Sequence, residues 1–275
     1  MQRAESGVFP ALLRDWRSRR GMSQLDLSLT AEVSSRHISF LETGRAQPSR
    51  DMVLILACAL GVPLRDQNVL LRAAGFAEQF AEPSWQEGLP PAVERVLEHM
   101  LRKQEPFPMV VLSHCYDVVR ANRAALRLFG LLLKEPQHVG EPLNLMRALF
   151  DPRLVRPFVE DWERIARSLL SQLSREALQR PSDGMLHALL RELVSYPDVP
   201  KSLRQSDLST PTEPTLTVQL RRDELALSFI TTLTVFSAPQ MVTLQELRIE
   251  SYFPLDAATE QACERLAGAD GAQRT

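Results

Sequence analysis

The chain is short of aromatics, of cysteines and of long apolar runs, and each shortage closes off a class of function. Aromatic residues make up 6% of its 275 residues while apolar residues reach 44%, so its cores must be aliphatic and helix-rich. Three cysteines, Cys58, Cys115 and Cys263, lie far apart with no CxxC spacing. An odd count at such spacing argues against a disulfide framework and for reduced thiols. No apolar run approaches the roughly 18 residues that a membrane helix needs, and the first residues, MQRAESGVFP, lack the apolar core of a signal peptide. We expect a cytoplasmic protein with no membrane partner. HExxH, GxSxG, P-loop and GxGxxG motifs are all missing, which points away from an enzyme. His99, His114, His138 and His187 are scattered without ligand spacing. His114 precedes Cys115, but neighbours in a turn point apart, so neither a metal site nor a cofactor is expected.

A net charge of −2 leaves no global basic field, so any basic surface must be local. Residues 1–50 hold eight arginines against five acids, a mild footprint for phosphate contact. The same region is punctuated as short helices. FPALLRDWRSRR carries Leu12, Leu13 and Trp16 on one stripe and stops at Gly21. Ser23 caps QLDLSLTA, with Leu25, Leu27 and Leu29 apolar. Ser34 caps a third helix that Gly44 closes. RDMVLILACAL and LRDQNVLLRAAG follow, stopped by Gly61 and Gly75. Five short helices in about 70 residues make a compact bundle.

Two helices joined by a short turn, the second opening on small polar residues, form the helix-turn-helix pattern. Ala31 and Val33 must be small for the helices to cross, and Ile38 and Leu41, three apart, must face the bundle. Ser35 and Arg36 then stand in the first turn, where this motif touches base edges in the major groove. Arg36 suits a guanine edge or a phosphate. The stretch RSRRGMSQLDLSLTAEVSSRHISFLETGRAQPS resembles the lambda-repressor-like, or XRE, helix-turn-helix family through Arg17, Gly21, Ser23, Gln24, Leu27, Val33, Ser34, Ile38, Leu41, Glu42, Gly44, Arg45 and Pro48. The resemblance implies that Gln24 braces the DNA backbone and that Glu42, Gly44 and Arg45 shape a phosphate-contacting loop. It places Ser35, Arg36, His37 and Phe40 toward bases, with packing an open alternative for Phe40 and a phosphate or solvent for His37. The expected DNA contacts are therefore Arg17, Ser23, Gln24, Ser34, Ser35, Arg36, His37, Phe40 and Arg45.

The texture changes after residue 77. FAEQFAEPSWQEGLPP reads as a linker. A helix over 92–104 leads to MVVL and DVVRA, a hairpin turning at 113–116, and Asn122 caps the next helix. Residues 143–196 are helical in pattern. TLTVQL, ELALSFITTLTVFS and VTLQELRIESYF read as three antiparallel strands. The blocks VVLSHCYDVVRANRAALRLFG, NLMRALFDPRLVRPFVEDWERIARSLLSQLSREA, LLRELVSYPDVP and VTLQELRIESYFPLDAAT resemble, in that order, the ligand-binding domain of MmyB-like transcription regulators. That resemblance implies an α+β chain: a five-helix lambda-repressor-like DNA-binding bundle, then a PAS-like domain with a small antiparallel sheet and several helices. We expect the bundle at 1–77, a linker at 78–91, the ligand-binding domain at 92–268 and a disordered tail at 269–275.

A sheet packed on helices can hold an apolar cavity between them. Phe129, Leu145, Leu149, Phe150, Trp162, Ile165, Leu169, Phe229, Leu233 and Phe236 are its expected lining, each also compatible with ordinary core. The family implies a fatty-acid-like ligand, whose carboxylate Arg147 or Asn144 would meet. The expected protein is a nucleoid-associated transcription regulator that binds double-stranded operator DNA as a homodimer under control of that ligand. A C-terminal domain that only dimerises or binds a protein, and a haem or flavin sensor, are the competing readings.

Overall fold

The computed structural model describes residues 7–83, 87–181, 183–196, 198–204, 215–237 and 239–268; the tail expected at 269–275 lies outside them. The chain divides into two compact units, Met1–Glu82 with Ala238–Gln245, and Pro83–Ser237 with Glu246–Thr275. No helix among the described residues is long and apolar enough to cross a membrane.

The first unit contains α1 (Val8–Arg19), α2 (Gln24–Ala31), α3 (Ser35–Glu42), α4 (Arg50–Ala59) and α5 (Leu64–Ala73). Local chemistry sets their starts. Ser23 and Asp26 form a capping box, Ser23 Oγ accepting from Asp26 N and Asp26 Oδ2 from Ser23 N. Ser34 accepts from His37 N and Ser49 from Met52 N. Gly44, at φ +71°, lets Arg45 N return to Phe40 O at 2.8 Å and so ends α3. Leu13, Trp16, Leu27, Ile38, Leu41, Val53, Leu56, Leu70 and Leu71 form the core. Of the three leucines of α2, only Leu27 is buried; Leu25 and Leu29 are exposed, because an alternating triplet cannot face one side of a helix.

The second unit contains α6 (Pro91–Gln104), β1 (Met109–Leu112), β2 (Val118–Ala121), α7 (Arg123–Leu132), α8 (Leu145–Phe150), α9 (Trp162–Gln179), α10 (Gly184–Ser195), β3 (Leu216–Arg222), β4 (Leu225–Thr234), β5 (Arg248–Pro254) and α12 (Ala257–Gly268), while α11 (Val242–Glu246) belongs to the first unit as far as Gln245. Its antiparallel sheet has the order β2-β1-β5-β4-β3. In register, Val110 pairs with Glu250, Glu250 with Leu233, and Tyr252 with Thr231. Because side chains alternate along strands, Glu250, Tyr252, Leu216, Val218 and Leu220 share one face. That face joins the core with α7, α8 and α9. Met109, Val111 and Ile249, on the other face, pack with Leu97 of α6 in a smaller cluster. Asn122 ties the start of α7 to β1, accepting from Ala125 N (2.9 Å) and Met109 N (3.0 Å).

One expected strand starts differently. VTLQE, read as the beginning of the last strand, is the helix α11, and β5 begins at Arg248. The segment belongs to the first unit, where Val242 N donates to Ala81 O at 2.9 Å. Gln245 Oε1 also accepts from Leu64 N at 2.8 Å. Pro63, the residue before α5, has no side-chain acceptor, so Gln245 satisfies an N–H that would otherwise need water. Tertiary hydrogen bonding here overrides the β-prone composition.

Candidate functional site

On α3, Ser35 and Arg36 are exposed and His37 and Phe40 half-buried, while Ile38 and Leu41 are sealed in the core. The Arg36 guanidinium lies over the Phe40 ring, 5.4 Å from its centroid, which gives the arginine a defined starting position. Arg45, on the following loop, is exposed. Ser23 and Ser34 are engaged as caps.

Arg17 and Gln24, also expected to meet DNA, both hydrogen-bond Glu42 within the unit. Arg17 Nε and Nη2 donate to the two carboxylate oxygens of Glu42 at 2.6 and 2.9 Å, and Nη1 donates to Met22 O at 2.7 Å. Gln24 Nε2 donates to Glu42 Oε2 at 2.8 Å. The Glu42 side chain has no exposed surface. Burial pushes its carboxyl up, but hydrogen bonds from Arg17 and Gln24 and the nearby arginine charges outweigh burial and hold it below the usual range. This network clamps α1 and α2 onto the end of α3 and so fixes the angle of the exposed face. Three of the five guanidinium N–H groups of Arg17 are committed to this network, two of them to Glu42.

The second unit holds a small apolar cavity of about 40 Å³. Phe129, Leu145, Leu149, Ile165 and Leu169 of the expected lining reach it, and Leu233 lies on the groove outside. Four others do not line either space. Phe150 and Trp162 stack edge to face at 5.6 Å, with Trp162 Nε1 donating to Leu149 O at 2.7 Å. Phe229 is fully buried against Tyr252, and Phe236 packs with the α6 cluster. The two expected carboxylate anchors are also engaged elsewhere. Arg147 forms a bidentate pair with Glu192 (2.8 and 2.9 Å), and Asn144 caps α8 and donates to Cys115 O and Asp117 Oδ1.

The cavity has its own polar end. Tyr116, Leu169, Leu216 and Glu250 belong both to it and to an open groove lined by Gln172, Glu176, Thr231 and Thr232. Tyr116 Oη donates to Glu176, which also accepts from Arg248 Nη2 at 2.8 Å, and Arg248 stacks on the Tyr116 ring. Burial dominates at Glu250 and, despite a hydrogen bond from Tyr252 and the charge of Arg248, raises its carboxyl to about 7. Glu250 and Tyr252, two apart in RIESYF, share a strand face, a period-two signal that was present in the sequence. Tyr116 had no such signal; it sits at φ +66° in the hairpin turn.

The turn places His114 and Cys115, expected to point apart, beside Asp183. Their ligand atoms and one from Asp183 all lie within 4.8 Å of one another. Burial alone would lower the His114 pKa, but the Asp183 hydrogen bond, with help from Cys115 and the charge of Glu246, raises it to about 10.

Comparison with known proteins agrees with this division. Residues 13–67 match a helix-turn-helix family, and residues 93–266, more than half of the chain, match the MmyB-like transcription regulator ligand binding domain. No curated protein matches. A solved structure of an RNA-binding Light-Oxygen-Voltage receptor aligns at 13% identity and a TM-score of 0.28, over 96% of this chain and 64% of that one. The chain thus spans less than two thirds of that protein. With a match over residues 93–266, more than half of its length, behind a helix-turn-helix bundle, the chain belongs to the MmyB-like transcription regulator family.

Proposed function

We propose that the protein binds operator DNA as a homodimer through α3 and that a fatty-acid-like molecule in the cavity controls this binding. Two copies would present their α3 helices about 34–36 Å apart, to successive major grooves of a near-palindromic site. Ser35, Arg36, Phe40 and Arg45 carry the contact; Arg17 and Gln24 act by holding α3 in place. One observation supports effector control above the others: an apolar cavity ends on a small set of polar groups, as binding cavities do. Ligand coupling in such regulators is about 1–3 kcal/mol.

Arg36→Ala is expected to weaken specific operator binding by about 1–3 kcal/mol and relax base preference, with thermal stability unchanged. Fluorescence anisotropy on specific and scrambled duplexes checks it. Equal losses on both would make Arg36 a phosphate contact, and no loss would remove it from the interface.

The polar end predicts how an acyl ligand responds to pH. Below about pH 7 a protonated Glu250 can donate to a carboxylate; above it, two negative charges would meet. Binding of a medium-chain fatty acid should weaken about tenfold between pH 6 and pH 8, and Glu250→Gln should flatten that dependence. Isothermal titration with dodecanoate reads both. A wild-type affinity that does not change over this range would rule out Glu250 as the head-group partner.

A further inference from the structure

A cluster outside the cavity carries chemistry that the regulator reading does not use. The hairpin turn is closed by Ser113 N donating to Asp117 O and Tyr116 N to Ser113 O. Ser113 Oγ accepts from Cys115 N and Asp117 N. This fixed turn presents His114 and Cys115 to Asp183, whose Oδ1 accepts from Leu186 N at 3.0 Å and caps α10. Cys115 and Asp183 are buried, and only 15% of the His114 side chain is exposed. His114 Nε2 lies 3.4 Å from Asp183 Oδ2, and Nδ1 lies 3.4 Å from Glu246 Oε2.

We propose that Cys115, His114 through Nε2, and Asp183 form a three-ligand site for a divalent transition-metal ion of the zinc class, oriented by Glu246 on the second ring nitrogen. Two ligands about 2.0–2.1 Å from one tetrahedral ion stand about 3.3 Å apart, close to the His114–Asp183 separation. The widest separation in the cluster, at most 4.8 Å, needs to close by about 1 Å for a thiolate at about 2.3 Å from the ion. A carboxylate on the far nitrogen of a ligating histidine fixes the ring and its tautomer, the role Glu246 occupies. Arg180, with Nη1 3.8 Å from Glu246 Oε1, balances that outer charge. Thiolate with imidazole and a single carboxylate selects against magnesium and calcium, which take oxygen shells. The bound ion, two anionic ligands and a neutral imidazole together carry no net charge, which suits a buried site.

The full-length protein, stripped by chelator and dialysed, is titrated with Co²⁺ and then Zn²⁺. One equivalent of Co²⁺ should give a thiolate-to-cobalt charge-transfer band in the near ultraviolet, bleached by Zn²⁺. Cys115→Ser should lose the band, while Cys58→Ser and Cys263→Ser keep it. Glu246→Gln should keep the band and weaken affinity about 10- to 100-fold. Wild-type protein, folded by circular dichroism, that shows no band overturns the proposal, as does a band that survives Cys115→Ser. Should Cys115→Ser fail to fold, Asp183→Asn decides. It keeps the α10 cap through its amide oxygen, and an unchanged Co²⁺ affinity in that variant overturns the site.

Discussion

Arg17→Ala is expected to weaken operator binding by destabilising the first unit by about 3–4 kcal/mol, through loss of the clamp that we propose as the role of Arg17. Its guanidinium gives three hydrogen bonds inside the unit, two of them to Glu42, whose side chain has no exposed surface. Removing one partner of a buried ion pair costs about 3–5 kcal/mol, because the other charge stays without compensation. Here Gln24 still donates to Glu42 and Arg14 Nε stands 3.9 Å from it, so the lower half of that range is the better figure. A domain of this size has about 5–15 kcal/mol in total, so the loss is a large fraction.

Acid provides an independent check on the same network. The Glu42 carboxyl is held below its ordinary range when folded, so its contribution to stability is present above the unfolded value. It is lost as pH falls through the lower, folded value. Wild-type protein should therefore lose stability in acid more steeply than Arg17→Ala, where the Glu42 pKa rises toward or above normal. Urea melts at neutral and acid pH measure both slopes. Normal stability with weak DNA binding would return Arg17 to the interface and sink the clamp. Arg36→Ala is the matched control, with specific binding weakened and stability kept.

What could be read from the sequence follows the distance over which each signal acts. Caps at Ser23, Ser34, Ser49 and Asn122 are local, so the starts of their helices were legible. The Arg17–Glu42 clamp spans 25 residues, and Arg17 and Gln24 were noticed only as family positions; a phosphate contact and a buried pair use the same residue types. In the cavity, Leu145 with Leu149 and Ile165 with Leu169 are i, i+4 pairs, each a single helical stripe. Trp162 stands on the Ile165–Leu169 stripe at i, i+3, i+7 yet packs on Phe150, which lies off the Leu145–Leu149 stripe. Hydrophobic periodicity identifies burial but does not say which buried stripe faces a void. His114 and Cys115 could not be joined to Asp183 from spacing alone, because a turn and a helix cap nearly 70 residues later bring them together.

Phe229→Ala should destabilise the second unit by about 3–5 kcal/mol. The ring is fully buried and meets Tyr252 edge to face at 5.8 Å; Tyr252 meets Phe129 in the same way at 6.5 Å. Both of those neighbours line the cavity while Phe229 does not, so it is the support behind one wall. Truncation loses the transfer energy of the ring and leaves a void that the paired strands β3, β4 and β5 cannot close without breaking their ladder. That void lies next to the existing cavity and adds to the apolar space open to a ligand. An apolar ligand at 100 times its dissociation constant would return about 2.7 kcal/mol by mass action. The variant should therefore gain more thermal stability from dodecanoate than the wild type does. Leu233→Ala, at the exposed end of β4, should change stability by less than about 0.5 kcal/mol. Calorimetry with and without dodecanoate reads all three proteins. A loss under about 1 kcal/mol for Phe229→Ala would mean that the wall behind Tyr252 is not close-packed, and a cavity with so loose a wall would not discriminate between ligands by shape.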